Sequence, residues 1–500
     1  MGALSPLGSG ATRALLLLAL AACAPKVTPP AAPVEPAAPA APAVRPTRLQ
    51  APGPTAEHPW TLPAPAVGTL SNGIPVYVVE NHEVPIVDVH LSWRGGSNTD
   101  PKGKEGLASA TMDMLARGAG TYDAEALTRA AKKLGTNIES QGGVDAASVA
   151  LSALTRNLAP SLDLLSTVVN APTFPEKEWT LLHKQYDDSI TSRRQDPTST
   201  AWTVLGRVVY GESYQGRFAV ERSLAAIRTS DMKAWRKAWL VAPNASIYVG
   251  GDTTLAEILP MLEARFGRMT KTGKAAPAVP APTTPTTPTI TLVDKPGAAQ
   301  SVIVATRYLG RPTDPGYADL YVANAAWGGM FTSRLNMNLR EDKGYTYGAR
   351  SSIGYDAVGA RWSVSAPVQS DKTLPSLQEL FAELAAPGKD RPFTDAEIAA
   401  AKGSILNGYP LPFESPGALL GLLDDVRLYG LGDTWVDQWL PRVQAVTAAS
   451  AQAAWATQAT GAGLRYVVVG DAAKLREPLA TLGFTVEERD ADGAVLPSKK

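Results

Sequence analysis

The chain has 500 residues, room for two or three domains. Its 47 basic and 47 acidic side chains cancel, which argues against a general nucleic-acid binder, whose surface would be basic. Charged residues make up only 19% of the chain, diluted by Ala- and Pro-rich stretches rather than by membrane spans.

In chain order, the first feature is a targeting signal. Arg13 precedes the apolar run Ala14–Ala22. That run is far short of the roughly 20 residues needed to cross a bilayer, so residues 1–22 read as a signal peptide. It ends in Leu20-Ala21-Ala22-Cys23, which is similar to a bacterial lipobox and makes Cys23 the expected lipidated first residue of the mature chain. Cys23 is the only cysteine, so no disulfide can form within the chain. Ala24 after it favours the outer membrane, with the folded part facing the periplasm. Residues 23–67 repeat Pro and Ala, as in Pro36-Ala37-Ala38-Pro39, and read as an extended tether. At about 3.1 Å per residue it reaches on the order of 100 Å.

Residues 68–270 mix strand and helix patterns. Ile74–Glu80 and Ile86–Trp93 read as adjacent strands. Helices are expected over Leu107–Arg117, Asp123–Leu134, Asn157–Val169, Pro175–Arg194 and Ser230–Leu240, the last with Ser230 as its N-cap. A buried strand at Ala245–Val249 leads through Gly250-Gly251-Asp252 to a helix over Thr254–Phe266. That glycine pair lacks the spacing and lysine of a phosphate cradle. Residues 271–288 turn Pro/Thr-rich and read as a linker. Residues 289–490 then repeat the pattern: Asp314-Pro315 follows Asp100-Pro101 by 214 positions, and Gly470-Asp471 follows Gly251-Asp252 by 219.

The short helix Gly106–Gly118 organises the first half. Leu107, Ala110, Met114 and Leu115 form an apolar stripe, while Ser109, Met112 and Asp113 share one turn of the other face. Around it stand Leu70-Ser71-Asn72-Gly73-Ile74-Pro75, Gly95-Gly96-Ser97, Gly106-Leu107-Ala108 and Met114-Leu115-x-x-Gly118. This frame resembles the pitrilysin/insulinase (M16) zinc peptidases, in which the turn reads His-x-x-Glu-His. The resemblance covers about residues 65–490. It implies an α+β fold of two duplicated domains, each an antiparallel sheet flanked by helices. It also places a fourth family position, a glutamate ligand, on Ser189, 76 residues after Asp113. Ser109, Met112, Asp113 and Ser189 replace the zinc ligands and the general base, so the chain resembles a non-catalytic type with no metal or other cofactor of its own. Of the four histidines, His58 falls in the tether, and His82, His90 and His183 have no partner at ligand spacing.

The second half keeps its motif: Gly328-Gly329-Met330-Phe331-Thr332-Ser333-Arg334-Leu335, then Leu339-Arg340-Glu341-Asp342-Lys343-Gly344-Tyr345-Thr346-Tyr347. Family members carry an arginine and, seven residues on, a tyrosine that contact the substrate backbone near the scissile bond. By resemblance these are Arg340 and Tyr347, with Tyr345 a lesser alternative. The chemistry suits the residues, because a phenol can donate to an oxyanion and a guanidinium offers a rigid fork to carbonyls. Bacterial members of the family often divide the work between two chains. The reading that follows is a lipid-anchored, non-catalytic subunit that binds peptide beside a zinc-bearing partner. A peptide-binding or structural scaffold of the envelope, or an independent metallopeptidase, are the alternatives.

Overall fold

The computed structural model describes residues 63–276, 289–432, 434–458 and 463–497. The expected signal peptide, Cys23 and most of the tether lie outside the described residues, as does the 277–288 part of the linker. Among the described residues no helix is long and apolar enough to cross a membrane.

Two six-stranded sheets dominate. The first contains β1 (Ala66–Thr69), β2 (Pro75–Glu80) and β3 (Ile86–Arg94). A two-stranded ribbon of β4 (Gly118–Ala119) and β5 (Tyr122–Asp123) intervenes before β6 (Asn137–Gly142), β7 (Ala146–Leu154) and β8 (Ala245–Gly251) complete it. The second contains β9 (Thr289–Asp294), β10 (Gln300–Gly310), β11 (Arg350–Asp356), β12 (Gly359–Gln369), β13 (Arg465–Gly470) and β14 (Thr485–Arg489). The strand orders are β1-β2-β8-β3-β7-β6 and β14-β9-β13-β10-β12-β11. Five strands of each follow one pattern, in which a late strand inserts between the first two. β8 runs parallel to β2 and antiparallel to β3, and β13 does the same between β9 and β10. The sixth strand differs, antiparallel β1 in one sheet and parallel β14 in the other. The sheets are thus mostly antiparallel, with three parallel pairings that periodicity alone does not reveal.

Most expected elements form within a residue or two of their expected ends. β1 begins at Ala66, inside the stretch read as tether. The helix expected to be capped by Ser230 starts earlier, at Thr229–Trp239, where the Asp231 carboxylate reaches back to accept from the Arg228 N–H at 2.9 Å. Not legible from periodicity are the β6–β7 and β11–β12 hairpins and the helix Pro197–Tyr210. That helix is rich in Thr and Val, poor helix formers, and depends on its ends: Asp196 accepts from Ser199 N at 2.7 Å and Pro197 fills the first turn.

The helix Pro197–Tyr210 belongs by sequence to the first half but packs on the second sheet. Its Ala201, Val204 and Leu205 meet Val293 of β9, Val302 and Val304 of β10, and Val467 and Val469 of β13. The other face of the same strands, with Ile303, Ala305, Tyr466 and Val468, faces the second half's own core. Burial on both faces explains the unbroken apolar runs of β10 and β13. The exchange is mutual, for the second-half helix Pro416–Leu428 lies on β8 and β3 of the first sheet. Its approach is so close that a Cβ on Gly250 would stand 2.8 Å from Pro416 Cβ. The Gly250-Gly251-Asp252 turn is therefore a packing device. Gly250 admits the helix, and Gly251 adopts φ +121° with no room for a Cβ beside Ile86 O.

Polar groups finish this seam. Arg94 donates to Arg427 O and Arg427 to Tyr77 Oη, each at 2.9 Å, while His90 Nε2 lies 3.5 Å from Asp424. Burial, with Asp424 alongside, pushes the Asp425 carboxyl up to about 6.

Two outcomes are expected. Leu205→Ala removes a nearly fully buried side chain from the exchanged contact and should cost about 2–5 kcal/mol, read from the denaturant midpoint. For Asp425 the folded pKa lies above the ordinary carboxyl value. Its favourable, neutral form is therefore complete at low pH and lost as pH rises through about 6. Asp425→Asn should raise the melting temperature at pH 8, with the gain fading toward pH 4.

Candidate functional site

The first-half face is built on α1 (Leu107–Leu115). Asp100 fixes its start by accepting from the backbone N–H groups of Gly106 and Ala108, both at 2.8 Å. Gly106 adopts φ +101°, a turn that brings the chain into the helix. Its apolar stripe, Leu107, Ala110, Met114 and Leu115, is buried. Ser109 Oγ donates to Gly142 O at 3.1 Å, where β6 presses so close that a Cβ on Gly142 would lie 2.7 Å from Ser109 Cα. Met112 is 0% exposed and its carbonyl accepts from Ser140 Oγ. Asp113 is half-buried and accepts a 2.7 Å hydrogen bond from Tyr186 Oη. Burial raises the Asp113 pKa, against the pull of the Tyr186 hydroxyl and the Arg117 charge. Tyr186 sits on the helix Glu176–Gln195, where sequence spacing points to Ser189 instead. Ser189 is exposed, about one turn further on.

These residues do not fit a zinc ion. Zinc sites are made of imidazole, thiolate or carboxylate ligands. Here stand two serines, a methionine sealed in the core and one carboxylate already bonded to a phenol. Among the described residues no group of three or more His, Cys, Asp or Glu side chains is arranged to hold a metal. The histidines have other neighbours: His82 Nδ1 meets Asp252 at 2.8 Å, His90 faces Asp424, and His183 lies edge-on to Trp179.

The second-half segment is held from beneath and open above. Arg334 grips Glu397 through two hydrogen bonds of 2.6 and 2.7 Å and stacks on Phe393. Asn336 donates to Phe331 O at 2.7 Å and accepts from Ala349 N at 3.1 Å, tying the two ends of the motif together. Asn338 donates to Glu379 and Glu383. Leu335 and Leu339 are buried. Met337–Asp342 is wound as a π-helix, as is Ala325–Gly329. Such wider turns re-aim side chains and are frequent at functional sites.

Arg340 emerges from this turn with its guanidinium 4.6 Å above the Phe331 ring and its Nε 3.1 Å from Glu341. Tyr347 lies outside any strand and is 87% exposed. Tyr345 packs against the core, which leaves Tyr347 as the outward phenol. Phe331 and Met337 are also exposed. Large apolar side chains in water beside a cation suit an extended peptide. Sequence spacing misses Phe331, Met337, Tyr186 and Asp100. The first two carry a signal in hindsight, as large apolar residues within the motif Gly328–Leu335 and just past it.

Comparison with known proteins agrees with this architecture. Residues 76–203 match the family described as Insulinase (Peptidase family M16), and residues 226–405 match the Peptidase M16 inactive domain. An uncharacterized zinc protease of Mycobacterium leprae is 22% identical over 371 residues, 72% of this chain and 82% of the relative. The crystal structure of a peptidase M16 inactive domain from Pseudomonas fluorescens superposes with a TM-score of 0.75 at 23% identity, covering 81% of this chain and 98% of that one. A protease from Helicobacter pylori gives 0.73 at 15% identity, over 82% and 100%.

Tyr186→Phe should leave the Asp113 carboxylate without its donor and cost about 1–3 kcal/mol at pH 8. The lost bond favours the charged form, so Asp113 titrates still higher in the variant. The destabilisation should shrink as the pH is lowered and Asp113 takes up a proton, when denaturant midpoints are compared across a pH series.

Proposed function

Because the chain belongs to the M16, or insulinase-type, peptidase family, we propose that it is the non-catalytic subunit of a two-chain zinc endopeptidase. One asymmetry carries this reading. The face that holds zinc in active relatives is closed by Met112 and by the Tyr186–Asp113 hydrogen bond. The segment that would touch a peptide instead displays Tyr347 at 87% exposure and Arg340 braced on Phe331.

In this role the metal and its ligands belong to the partner. This chain binds and orients. The Arg340 guanidinium offers parallel donors to substrate carbonyls, and stacking on Phe331 limits its motion before substrate arrives. The Tyr347 hydroxyl donates to the oxygen that gains charge as the peptide carbonyl is attacked. Cys23 carries the lipid that holds the pair at the envelope membrane, and the Pro/Ala tether lets the folded part meet its partner away from that surface.

The test is co-expression with a His-x-x-Glu-His chain from the same host, followed by co-purification and peptide cleavage. Tyr347→Phe should lower kcat of the pair by about 10²–10³-fold while the two chains still co-purify. An unchanged rate removes the catalytic-support role and leaves a scaffold. Stoichiometric zinc in the isolated chain would contradict the reading of Ser109, Met112, Asp113 and Ser189.

A further inference from the structure

A cavity of about 570 Å³ lies in the second half. It is bounded by the helix Tyr317–Asn324, by β11, by the end of the helix Asp395–Gly408 and by the helix Trp435–Ala445. Tyr321, Tyr355, Tyr409, Phe413, Trp435 and Trp439 stand among its walls. These rings brace one another. Trp435 stacks on Trp439 at 5.6 Å, Tyr321 meets Trp439 edge-on at 5.1 Å, Tyr355 meets Trp435 edge-on at 6.0 Å, and Tyr409 meets Phe413 edge-on at 5.4 Å. Rings locked this way need little rearrangement when a guest enters.

The space is kept clear by small residues. Ala325, Gly329, Ser351, Ser404 and Gly408 line it, and a Cβ added at Gly408 would meet nothing within 4 Å. The matching place in the first half, between α1 and the helix Glu176–Gln195, is filled by side chains instead, with Tyr186 bonded to Asp113. The volume is that of a site for a small ligand or a few peptide residues, and its walls combine aromatic rings with hydroxyls of serine and tyrosine and the Asn324 amide, the mixture found in binding pockets.

We propose that this cavity is a pocket for a large aromatic side chain of a bound peptide, an inference that rests on the peptide-binding reading above. The chain that presents the outward side chains runs directly into its wall. Gly329 and Met330, which line the pocket, precede Phe331, and Ser351 follows four residues after Tyr347. At about 3.3 Å per extended residue this puts the pocket roughly 13 Å along the chain from Tyr347. The aromatic residue therefore lies several positions from the bond being cut. Among the described residues no charged side chain lines the cavity, so none offers a cationic guest a counter-ion there. An aromatic ring finds both faces and edges to pack against.

The experiment uses the full chain and three short blocked peptides that differ at one position, Phe, Ala or Lys, titrated by calorimetry. The Phe peptide should bind at least about tenfold tighter than the Ala peptide. Gly408→Leu and Ser404→Trp, which fill the space from its rim, should erase that preference with melting temperatures unchanged. Arg340→Ala should weaken the Phe and Ala peptides by one common factor and leave their ratio intact. Loss of that common factor alone would count against the Arg340 role while sustaining the pocket. Equal binding of the Phe and Ala peptides, a preference that survives both filling variants, or tightest binding of the Lys peptide would overturn the proposal.

Discussion

The exchange of helices between the two halves is the constraint on which the rest of the structure depends. The second sheet has apolar residues on both faces and covers only one of them with its own helices, while the first turns Tyr77, His90 and Tyr248 toward the helix Pro416–Leu428. The helix Pro197–Tyr210 closes the second sheet, and the helix Pro416–Leu428 closes the first. Separating the halves would expose valines on β9, β10 and β13 to water, at about 25 cal/mol per Å² of apolar surface. The halves are therefore coupled through their cores and not only through surface contacts. This coupling fixes where α1 stands relative to the Phe331–Tyr347 segment.

The positions that the resemblance assigns to zinc ligands take part in packing and hydrogen bonds within this chain. A metal ion bound between α1 and the helix Glu176–Gln195 would cross-link them and add to stability. The Tyr186–Asp113 hydrogen bond makes a link between the same two helices, while Met112 fills the interior side of the turn. Ser109 holds α1 to the end of β6. Of these positions only Met112 lies in the core. The second half has gone the other way. Its matching helix pair leaves space walled by aromatic rings, and its π-wound turn directs Arg340 outward. Two copies of one strand order thus carry opposite surfaces, one closed and one open.

Much of this was legible in the residues. Apolar alternation located β2, β3 and β8, because a strand buried in a sheet must repeat every second residue or run apolar throughout. The resemblance puts Ser109, Met112 and Asp113 on the turn that reads His-x-x-Glu-His in the zinc peptidases, and of the three only Asp113 is a zinc-ligating residue type. The motif ending in Tyr347 identified the segment that faces outward. The short edge strands β6 and β11 escaped notice because an edge strand with polar or small residues carries little periodic signal.

What the sequence carried by itself was the fold class, through the resemblance of its motifs to a known family, the duplication, through its repeated Asp-Pro and Gly-Asp spacings, and the residue types at the four positions the resemblance assigns to zinc. What only the tertiary structure decided was partnership across long separations. Tyr186, not Ser189, reaches Asp113, because helix rotation against its neighbour selects which residue of a turn points inward. Gly250 faces Pro416, and Val204 faces Val302, because two sheets with uncovered faces must borrow cover from each other. Tyr347 is exposed while Tyr345 is packed, although only one residue separates them, since the chain there follows the core beneath it rather than a strand's alternation.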